Sequence, residues 1–216
     1  MTGCDAVGLA DDGRDPRRVP ENWPEFVDPD EWVLNREGLP ARRAARVIVL
    51  RRTPRPAILL AVGHDAADAG RLWAFTPGGG ILPREGPKQG ALRELAEETG
   101  VHLTARDLVG PVVDRSARLD FDRITCRQEE LFYLARLDAR GVGRADAARG
   151  EDGQMDRSGW TAAEHEVLDS LRWWPLDELD AAAGAGMTVY PAVLPALARS
   201  LLAGWDGRLR VIREED

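Results

Sequence analysis

Residues 79–101, with the sequence GGILPREGPKQGALRELAEETGV, have the pattern of a glycine loop followed by an amphipathic helix. Pro87 suits the first helical position, and Gly100 suits the left-handed cap that ends a helix. Between them, apolar and small residues recur three and four positions apart, which indicates one buried stripe. The stripe consists of Ala91, Leu92, Leu95, Ala96 and Thr99. We therefore predict a helix over residues 87–99.

Three glutamates, Glu94, Glu97 and Glu98, crowd one face of this predicted helix with no lysine between them. Two carboxylates about 4 Å apart repel each other by roughly 4 kcal/mol near a protein surface. Mg²⁺ reverses the sign of that repulsion, because it binds carboxylate oxygens together with water and phosphate oxygens. Taken alone, the three glutamates would be explained more simply by a solvated acidic face. The fixed spacing of Gly79, Glu85 and Arg93 before and among them favours a metal site.

The same stretch resembles the signature of the Nudix hydrolase superfamily, G-x5-E-x7-R-E-U-x-E-E-x-G-U, where U is a bulky aliphatic residue. The match is complete from Gly79 to Val101 at the correct spacing. The matching residues are Gly79, Glu85, Arg93, Glu94, Leu95, Glu97, Glu98, Gly100 and Val101. A phosphate-binding P-loop is excluded, because Gly86 is followed by proline instead of lysine and serine or threonine.

The resemblance implies an α/β fold of the Nudix type, an α/β/α sandwich around a mixed β-sheet. It also implies an enzyme, a MutT-like pyrophosphatase that uses Mg²⁺ or Mn²⁺ to hydrolyse a nucleoside diphosphate linked to another group. By the same resemblance, Glu97 and Glu98 would hold the metal ion, and the backbone carbonyl of Gly79 would be a further ligand. Glu85 would support the loop or bind a second ion.

The residue that activates the attacking water is open at this stage. Glu94 would be either a third metal ligand or the base, and Arg93 would orient a glutamate by a charged hydrogen bond. In some relatives a glutamate on a downstream loop acts as the base, and here Glu164 and Glu166 follow the longest loop. Two solvated surface glutamates are the simpler interpretation of that pair.

Substrate recognition must come from outside the signature, because relatives with very different substrates share it. Residues 114–128 are expected to connect two strands near the pocket mouth. Arg115, Arg118 and Arg127 in this segment are candidate contacts to phosphate or ribose, and solvated surface arginines are the alternative for each of them.

Absent sequence motifs favour a (d)NTP slightly over other substrates. Ser116 and Ala117 stand where relatives that cleave ADP-ribose often carry proline. An ADP-ribose or nucleotide-sugar pyrophosphatase is the alternative enzyme. An alternative of another class is a regulator that senses a nucleotide without turnover, and the intact glutamates argue against it.

Outside the signature, the sequence predicts one domain with two extensions. Residues 1–40 are expected to form a partly disordered leader, and residues 204–216 a tail that could add a short strand. Between them, residues 41–203 would form the Nudix domain, with a long mobile loop near residues 138–159. Short β-rich runs predict five strands in this domain. They cover residues 46–50, 57–62, 72–76, 108–113 and 130–137.

Composition limits the partners and the compartment. A net charge of −8 argues against sequence-independent binding to nucleic-acid backbones. No apolar run approaches the ~20 residues that span a bilayer, and Cys4 and Cys126 are too far apart in the sequence to suggest a disulfide framework. We therefore expect a cytoplasmic protein, a monomer or homodimer, that binds a small nucleotide and neither nucleic acid nor membrane.

Overall fold

The computed structural model of the protein describes residues 8–65, 68–121, 123–147 and 168–215. These residues form one mixed sheet with helices packed on it. The strands are β1 (Val33–Leu34), β2 (Pro40–Arg51), β3 (Ala57–Asp65), β4 (Asp68–Phe75), β5 (Gly78–Gly80), β6 (Val109–Asp120), β7 (Thr125–Leu137), β8 (Leu168–Pro175), β9 (Thr188–Tyr190) and β10 (Arg210–Glu214). The helices are α1 (Pro87–Thr99), α2 (Ala139–Ala147), α3 (Leu176–Gly184) and α4 (Leu194–Ala203), with a 3₁₀ turn at Trp23–Glu25.

The sheet is built around β2. The main path runs β10-β6-β7-β2-β3-β4-β9, while β1 and β5 also pair with β2, and β8 pairs with β3. Strands β2 and β7 run parallel along their whole contact, whereas β2 and β3 form the expected antiparallel hairpin with Leu50 opposite Ile58. Strand β2 therefore lies between the long β6–β7 hairpin and the short glycine strand β5.

Two apolar clusters lie on the two faces of this sheet. Helix α1 covers one face with Ala91 and Leu95, which are fully buried. Helix α4 covers the other with Leu194 and Leu201, which are also fully buried. Burying one leucine side chain contributes roughly 1.5–3 kcal/mol, so both interfaces are strongly favoured. Helices on both faces of a mixed sheet confirm the predicted α/β/α sandwich.

The segment expected to be a connection between strands is itself mostly strand. Strands β6 and β7 form a long hairpin in which Arg118 lies opposite Arg127 and Asp120 opposite Thr125. The strands in residues 114–128 could not be predicted from the sequence, because charged side chains interrupt the apolar alternation that marks a half-buried strand. Arg115 and Arg127 in this segment form ion pairs with carboxylates of the tail, which allows them to be buried.

The expected long loop near residues 138–159 begins with a helix. Helix α2 has Val142 and Ala145 buried against the domain, so this part of the interpretation was wrong. A spacing of three residues is too short a pattern to be recognised in a segment rich in Asp, Arg and Gly. Residues 148–159 lie outside the described part of the chain.

The amino-terminal segment is folded over the described residues 8–40, although residues 1–40 were expected to form a partly disordered leader. Val19 and Trp32 are buried, and they pack against Ile124 and Cys126 at the tip of the β6–β7 hairpin. Asp15 is also buried and accepts hydrogen bonds from Arg17. The segment repays its ordering entropy through contacts with residues more than 80 positions away, which local composition does not reveal.

The carboxyl-terminal tail adds an edge strand, as expected. Strand β10 pairs parallel with β6, with Ile212 opposite Arg115 and Glu214 opposite Ala117. Helices in the described ranges are all too short or too polar to cross a lipid bilayer.

Candidate functional site

The glycine loop is held against β2 and leads directly into α1. Gly78, Gly79 and Gly80 pair with Arg46, Ala45 and Ala44 of β2. Helix α1 covers the predicted residues, and Gly100 ends it in the left-handed conformation with φ 67°. The glutamates of α1 therefore face a loop whose position is fixed by strand pairing.

Arg93 is the centre of the acidic cluster. Its Nε donates a hydrogen bond to Glu85 Oε1 at 3.0 Å, and its Nη1 donates to Glu94 Oε1 at 2.7 Å and to Glu97 Oε2 at 3.0 Å. Its Nη2 donates to the carbonyl oxygen of Gly80 at 2.8 Å. The hydrogen bonds that Arg93 donates to Glu85 raise the pKa of Arg93, so the guanidinium stays charged. One arginine thus gathers three carboxylates and ties them to the loop.

Glu94 and Gly79 are in close contact. A Cβ on Gly79 would lie 2.6 Å from Glu94 Oε2, so any larger residue at this position would displace the Glu94 carboxylate. Burial raises the pKa of Glu94, and the hydrogen bond from Arg93 opposes that rise. Glu94 consequently takes up a proton more readily than Glu85, whose pKa is lowered.

Glu98 and Glu85 bind backbone groups of the loop. The N–H of Gly78 donates to Glu98 Oε2 at 2.8 Å, and the N–H of Leu82 donates to Glu85 Oε2 at 3.0 Å. The hydrogen bond from Arg93 lowers the pKa of Glu85, so its carboxylate remains ionised. Glu98 thus connects the helix to the start of the glycine loop, and Glu85 stabilises the turn between the loop and the helix.

The oxygen ligands that the glutamates and the glycine loop offer are chemically suited to a hard divalent cation. Carboxylate oxygens and a backbone carbonyl are the ligands that Mg²⁺ takes, and Gly79 leaves space beside the Glu94 carboxylate that a Cβ would fill. Within the described residues, no three acidic, histidine or cysteine side chains converge as a ready-made metal site. In this arrangement the Arg93 guanidinium compensates the glutamates.

The three arginines predicted to contact substrate lie on the β6–β7 hairpin, where carboxylates of the same chain bind them. Arg115 is buried and pairs with Glu130 and with Glu214 of the tail. Arg127 donates to both carboxylate oxygens of Glu215, at 2.9 and 2.8 Å.

Arg118, half-buried, lies 3.4 Å from Asp120 and 3.9 Å from Glu215. The alternative interpretation, solvated surface arginines, does not fit the structure, because all three form ion pairs within the chain. Their assignment as substrate contacts stays a prediction.

The two loop glutamates proposed as bases, Glu164 and Glu166, lie outside the described residues. The structure instead brings in Glu31, which sequence analysis missed. A Cβ on Gly80 would lie 2.8 Å from Glu31 Oε2, and Arg42 Nη1 donates to the same oxygen at 2.8 Å. Nothing in the local sequence around Glu31 marks it, because the contact depends on how the amino-terminal segment packs.

A cavity of about 200 Å³ adjoins the glycine loop. Ile81, which follows Gly80, forms part of its wall, and Arg43 contributes a cation. Its remaining lining residues are Ala44, Asp114, Glu129, Glu130 and Leu131. The cavity therefore combines one basic group with several carboxylates close to the signature loop.

Comparison with known proteins identifies the family. The family model described as NUDIX domain matches residues 40–194, which is most of the chain. The protein belongs to the NUDIX domain family, and the sequence prediction of a hydrolase acting on pyrophosphate bonds is confirmed at the level of this class.

Several solved structures are similar to the chain. An Ap4A hydrolase from C. elegans, in a binary complex, is 15% identical, with 74% of this chain and 97% of the other covered and a TM-score of 0.46. The NUDIX domain of Shewanella oneidensis NrtR, in complex with ADP ribose, is 18% identical, with coverages of 74% and 87% and a TM-score of 0.48. A mutator MutT protein from Bacillus halodurans is 17% identical, with coverages of 79% and 86% and a TM-score of 0.46.

Proposed function

We propose that the protein is a metal-dependent Nudix hydrolase that cleaves the pyrophosphate linkage of a nucleoside diphosphate derivative, with a (d)NTP as the favoured substrate. The observation that carries this proposal is the surplus of carboxylates around Arg93, which pairs with Glu85, Glu94 and Glu97 at once. Glu98 joins them through the glycine loop. Such a surplus of negative charge suits a divalent cation that also binds phosphate oxygens.

The residues that would hold Mg²⁺ or Mn²⁺ are Glu97 and Glu98, with Glu94, Glu85 and the Gly79 carbonyl as further ligands. When bound, the ion lowers the pKa of a coordinated water and offsets charge on the phosphate oxygens. The chain supplies fixed geometry, because hydrogen bonds to Arg93 and to the loop backbone already orient these carboxylates.

Glu94 is the proposed base for the attacking water. Its raised pKa brings it closer to neutral pH, where a general base is most effective. Nη1 of Arg93 holds the carboxylate in place at 2.7 Å. Addition of water across the bridging bond of a (d)NTP then gives a nucleoside monophosphate and pyrophosphate.

The cavity beside the glycine loop is the proposed binding place for the rest of the substrate. Arg43 would bind a phosphate oxygen, since a guanidinium donates two parallel hydrogen bonds to such groups. Asp114 and Glu129 would accept hydrogen bonds from sugar hydroxyls or a base amino group. A few convergent polar groups in a concave site are typical of small-molecule recognition.

A substrate panel tests the proposal. The wild-type protein and Glu98→Gln are incubated with (d)NTPs, ADP-ribose and nucleotide sugars in Mg²⁺ or Mn²⁺, and phosphate is measured after phosphatase treatment. We expect metal-dependent turnover, highest with a (d)NTP and lost in Glu98→Gln. Higher turnover of ADP-ribose or a nucleotide sugar would mean that this compound, and not a (d)NTP, is the preferred substrate. Tight nucleotide binding without turnover by the wild type would favour a sensor.

The identity of the base is tested separately. Glu94→Gln is expected to lower the maximal rate and weaken the response to Mg²⁺ together, because Glu94 lies within the ligand set. Glu164→Gln or Glu166→Gln, if either is the base, would lower the rate at saturating metal by roughly 10²- to 10⁴-fold and remove the acidic limb of the pH profile. Unchanged pH profiles in both loop variants would leave Glu94 as the base.

A further inference from the structure

A buried ion pair lies directly beneath the glycine loop. Arg46 of β2 donates from Nε to Glu130 Oε1 of β7 at 2.5 Å. The Arg46 side chain is 12% exposed, and that of Glu130 is completely buried. Neither residue belongs to the signature, and sequence analysis assigned neither of them a role beyond strand formation.

Glu130 is fully paired in this position. It accepts hydrogen bonds from Arg46, from Arg115 Nη1 and from Gln128 Nε2, the last at 2.7 Å. Burial alone would raise the pKa of Glu130, but the charges of Arg46 and Arg115 outweigh it and hold the pKa below its usual value. Well-packed apolar residues often give as much stability as a buried ion pair, so stability alone does not explain the pair.

The Nη1 group of Arg46 links the ion pair to the glycine loop. Nη1 of Arg46 donates to two backbone carbonyl oxygens of the loop, that of Thr76 at 3.0 Å and that of Gly78 at 2.8 Å. The N–H of the same Gly78 donates to Glu98 Oε2 at 2.8 Å. Glu130 therefore orients the guanidinium, the guanidinium fixes the loop, and the loop orients a glutamate of the signature.

Gly78 is pressed against β2 with no free space. Its φ of 139° lies in a region that favours glycine, and a Cβ there would be 2.4 Å from the Ala45 carbonyl oxygen and 2.5 Å from Arg46 Cα. A shift of Arg46 is therefore passed to Gly78 and on to the Glu98 carboxylate, because no gap absorbs it.

We infer that Arg46 is a positioning residue of the site, which sets the Glu98 carboxylate by fixing the Thr76 and Gly78 carbonyls while Glu130 holds it in place. The inference rests on the proposed metal site, because Glu98 is one of the proposed ligands. Lysine cannot replace Arg46 in this role. A single ammonium group lacks the planar fork that reaches Glu130 and the two carbonyls at once.

The test measures metal binding directly. Metal-free wild type, Arg46→Lys and Arg46→Gln are titrated with Mn²⁺, and free Mn²⁺ is followed by electron paramagnetic resonance. We expect both variants to raise the Mn²⁺ dissociation constant by about tenfold or more, as lost support of a ligand usually does. Arg46→Lys keeps the positive charge beside Glu130, and Arg46→Gln keeps a donor group, so the two variants perturb the core differently.

Gln128→Leu is the control, because Gln128 Nε2 donates a hydrogen bond to the same buried carboxylate of Glu130. It is expected to lower the melting temperature to a similar extent and to leave the Mn²⁺ dissociation constant unchanged. A rise equal to that of Arg46→Lys would overturn the inference, because general loosening of the buried cluster would then account for both.

A double variant shows whether the effect passes through Glu98. If it does, adding Arg46→Lys to Glu98→Gln causes no further loss of Mn²⁺ affinity, because both changes remove the same contribution, that of the Glu98 carboxylate. Additive losses would overturn the inference. Wild-type protein that binds no Mn²⁺ would overturn the metal site and this inference together, whereas normal binding by wild type and both Arg46 variants would overturn the inference alone.

Discussion

Two arginine–carboxylate clusters in this protein share their charges in different ways. In the signature cluster, three carboxylates from Glu85, Glu94 and Glu97 share the single guanidinium of Arg93. In the cluster between β2, the β6–β7 hairpin and the tail, two guanidiniums share each central carboxylate. Arg46 and Arg115 share Glu130, and Arg118 and Arg127 share Glu215.

The way the charges are shared distinguishes a candidate site for a cation from a structural cluster. A surplus of carboxylates leaves negative charge that a divalent cation can neutralise, and the signature cluster is partly open to solvent at Glu97, whose side chain is 53% exposed. The Arg115–Glu130 pair of the second cluster is more deeply buried, with side chains 4% and 0% exposed. Charges buried that deeply must be compensated within the protein, which leaves little capacity for a ligand.

The largest effect on activity is expected in the signature cluster. Glu97→Gln and Glu98→Gln are each expected to lower turnover by at least about a hundredfold, because an uncharged amide is a poor metal ligand. The melting temperature should hardly change, since glutamine keeps the volume and repulsion between carboxylates decreases. Steady-state rates and thermal melts of the two variants check this. Near-normal turnover in both would remove the distinction between the clusters.

On the compensated side, Glu130→Gln is expected to lower the free energy of unfolding at pH 7 by about 2 kcal/mol, because two buried arginines lose their shared charge. The lowered pKa of Glu130 means that its stabilisation is present above its ordinary pKa of 4.5 and is lost as pH falls through the folded-state value. Urea unfolding from about pH 7 to about pH 3 should therefore show a smaller acid loss in the variant. Equal acid sensitivity would contradict the proposed charge compensation.

The Gly79→Ala substitution tests the contact between loop and helix. Its Cβ would meet Glu94 Oε2 at 2.6 Å, so the carboxylate must move away. We expect about a tenfold loss of turnover, with a smaller effect on stability because the Glu94 side chain can rotate. Gly143→Ala is a control, since a Cβ there meets nothing within 4 Å. Unchanged turnover in Gly79→Ala would show that Glu94 does not need its present position.

The smallest effect is expected from Arg127→Gln, which removes the ion pair with Glu215. A mostly exposed partner makes such a pair worth about 1 kcal/mol or less, so the melting temperature should fall slightly. KM for the best substrate should be unchanged, because the tail carboxylate already binds this guanidinium. A clearly raised KM would instead mean that the tail yields to the substrate and that Arg127 binds it, as the sequence suggested.

Much of the fold could be predicted because its signals are local. The helix over residues 87–99, its left-handed cap at Gly100 and the β2–β3 hairpin each follow from patterns within about a dozen residues. The amino-terminal segment and α2 could not be predicted in this way. Val19 and Trp32 are ordered by Ile124 and Cys126, and the two sides of that contact are separated by more than 80 positions in the sequence.

The sequence by itself determined the family and the candidate ligands, because the signature places Gly79, Glu85 and the glutamates of α1 at spacings that one helix and one loop convert directly into proximity. Tertiary structure alone decided which charges are compensated and by what. Arg46, Glu130 and Glu214 come from three strands far apart in the chain, and only sheet pairing brings them together. Whether an arginine is free for a ligand depends on such long-range neighbours, which residue type and local spacing do not encode.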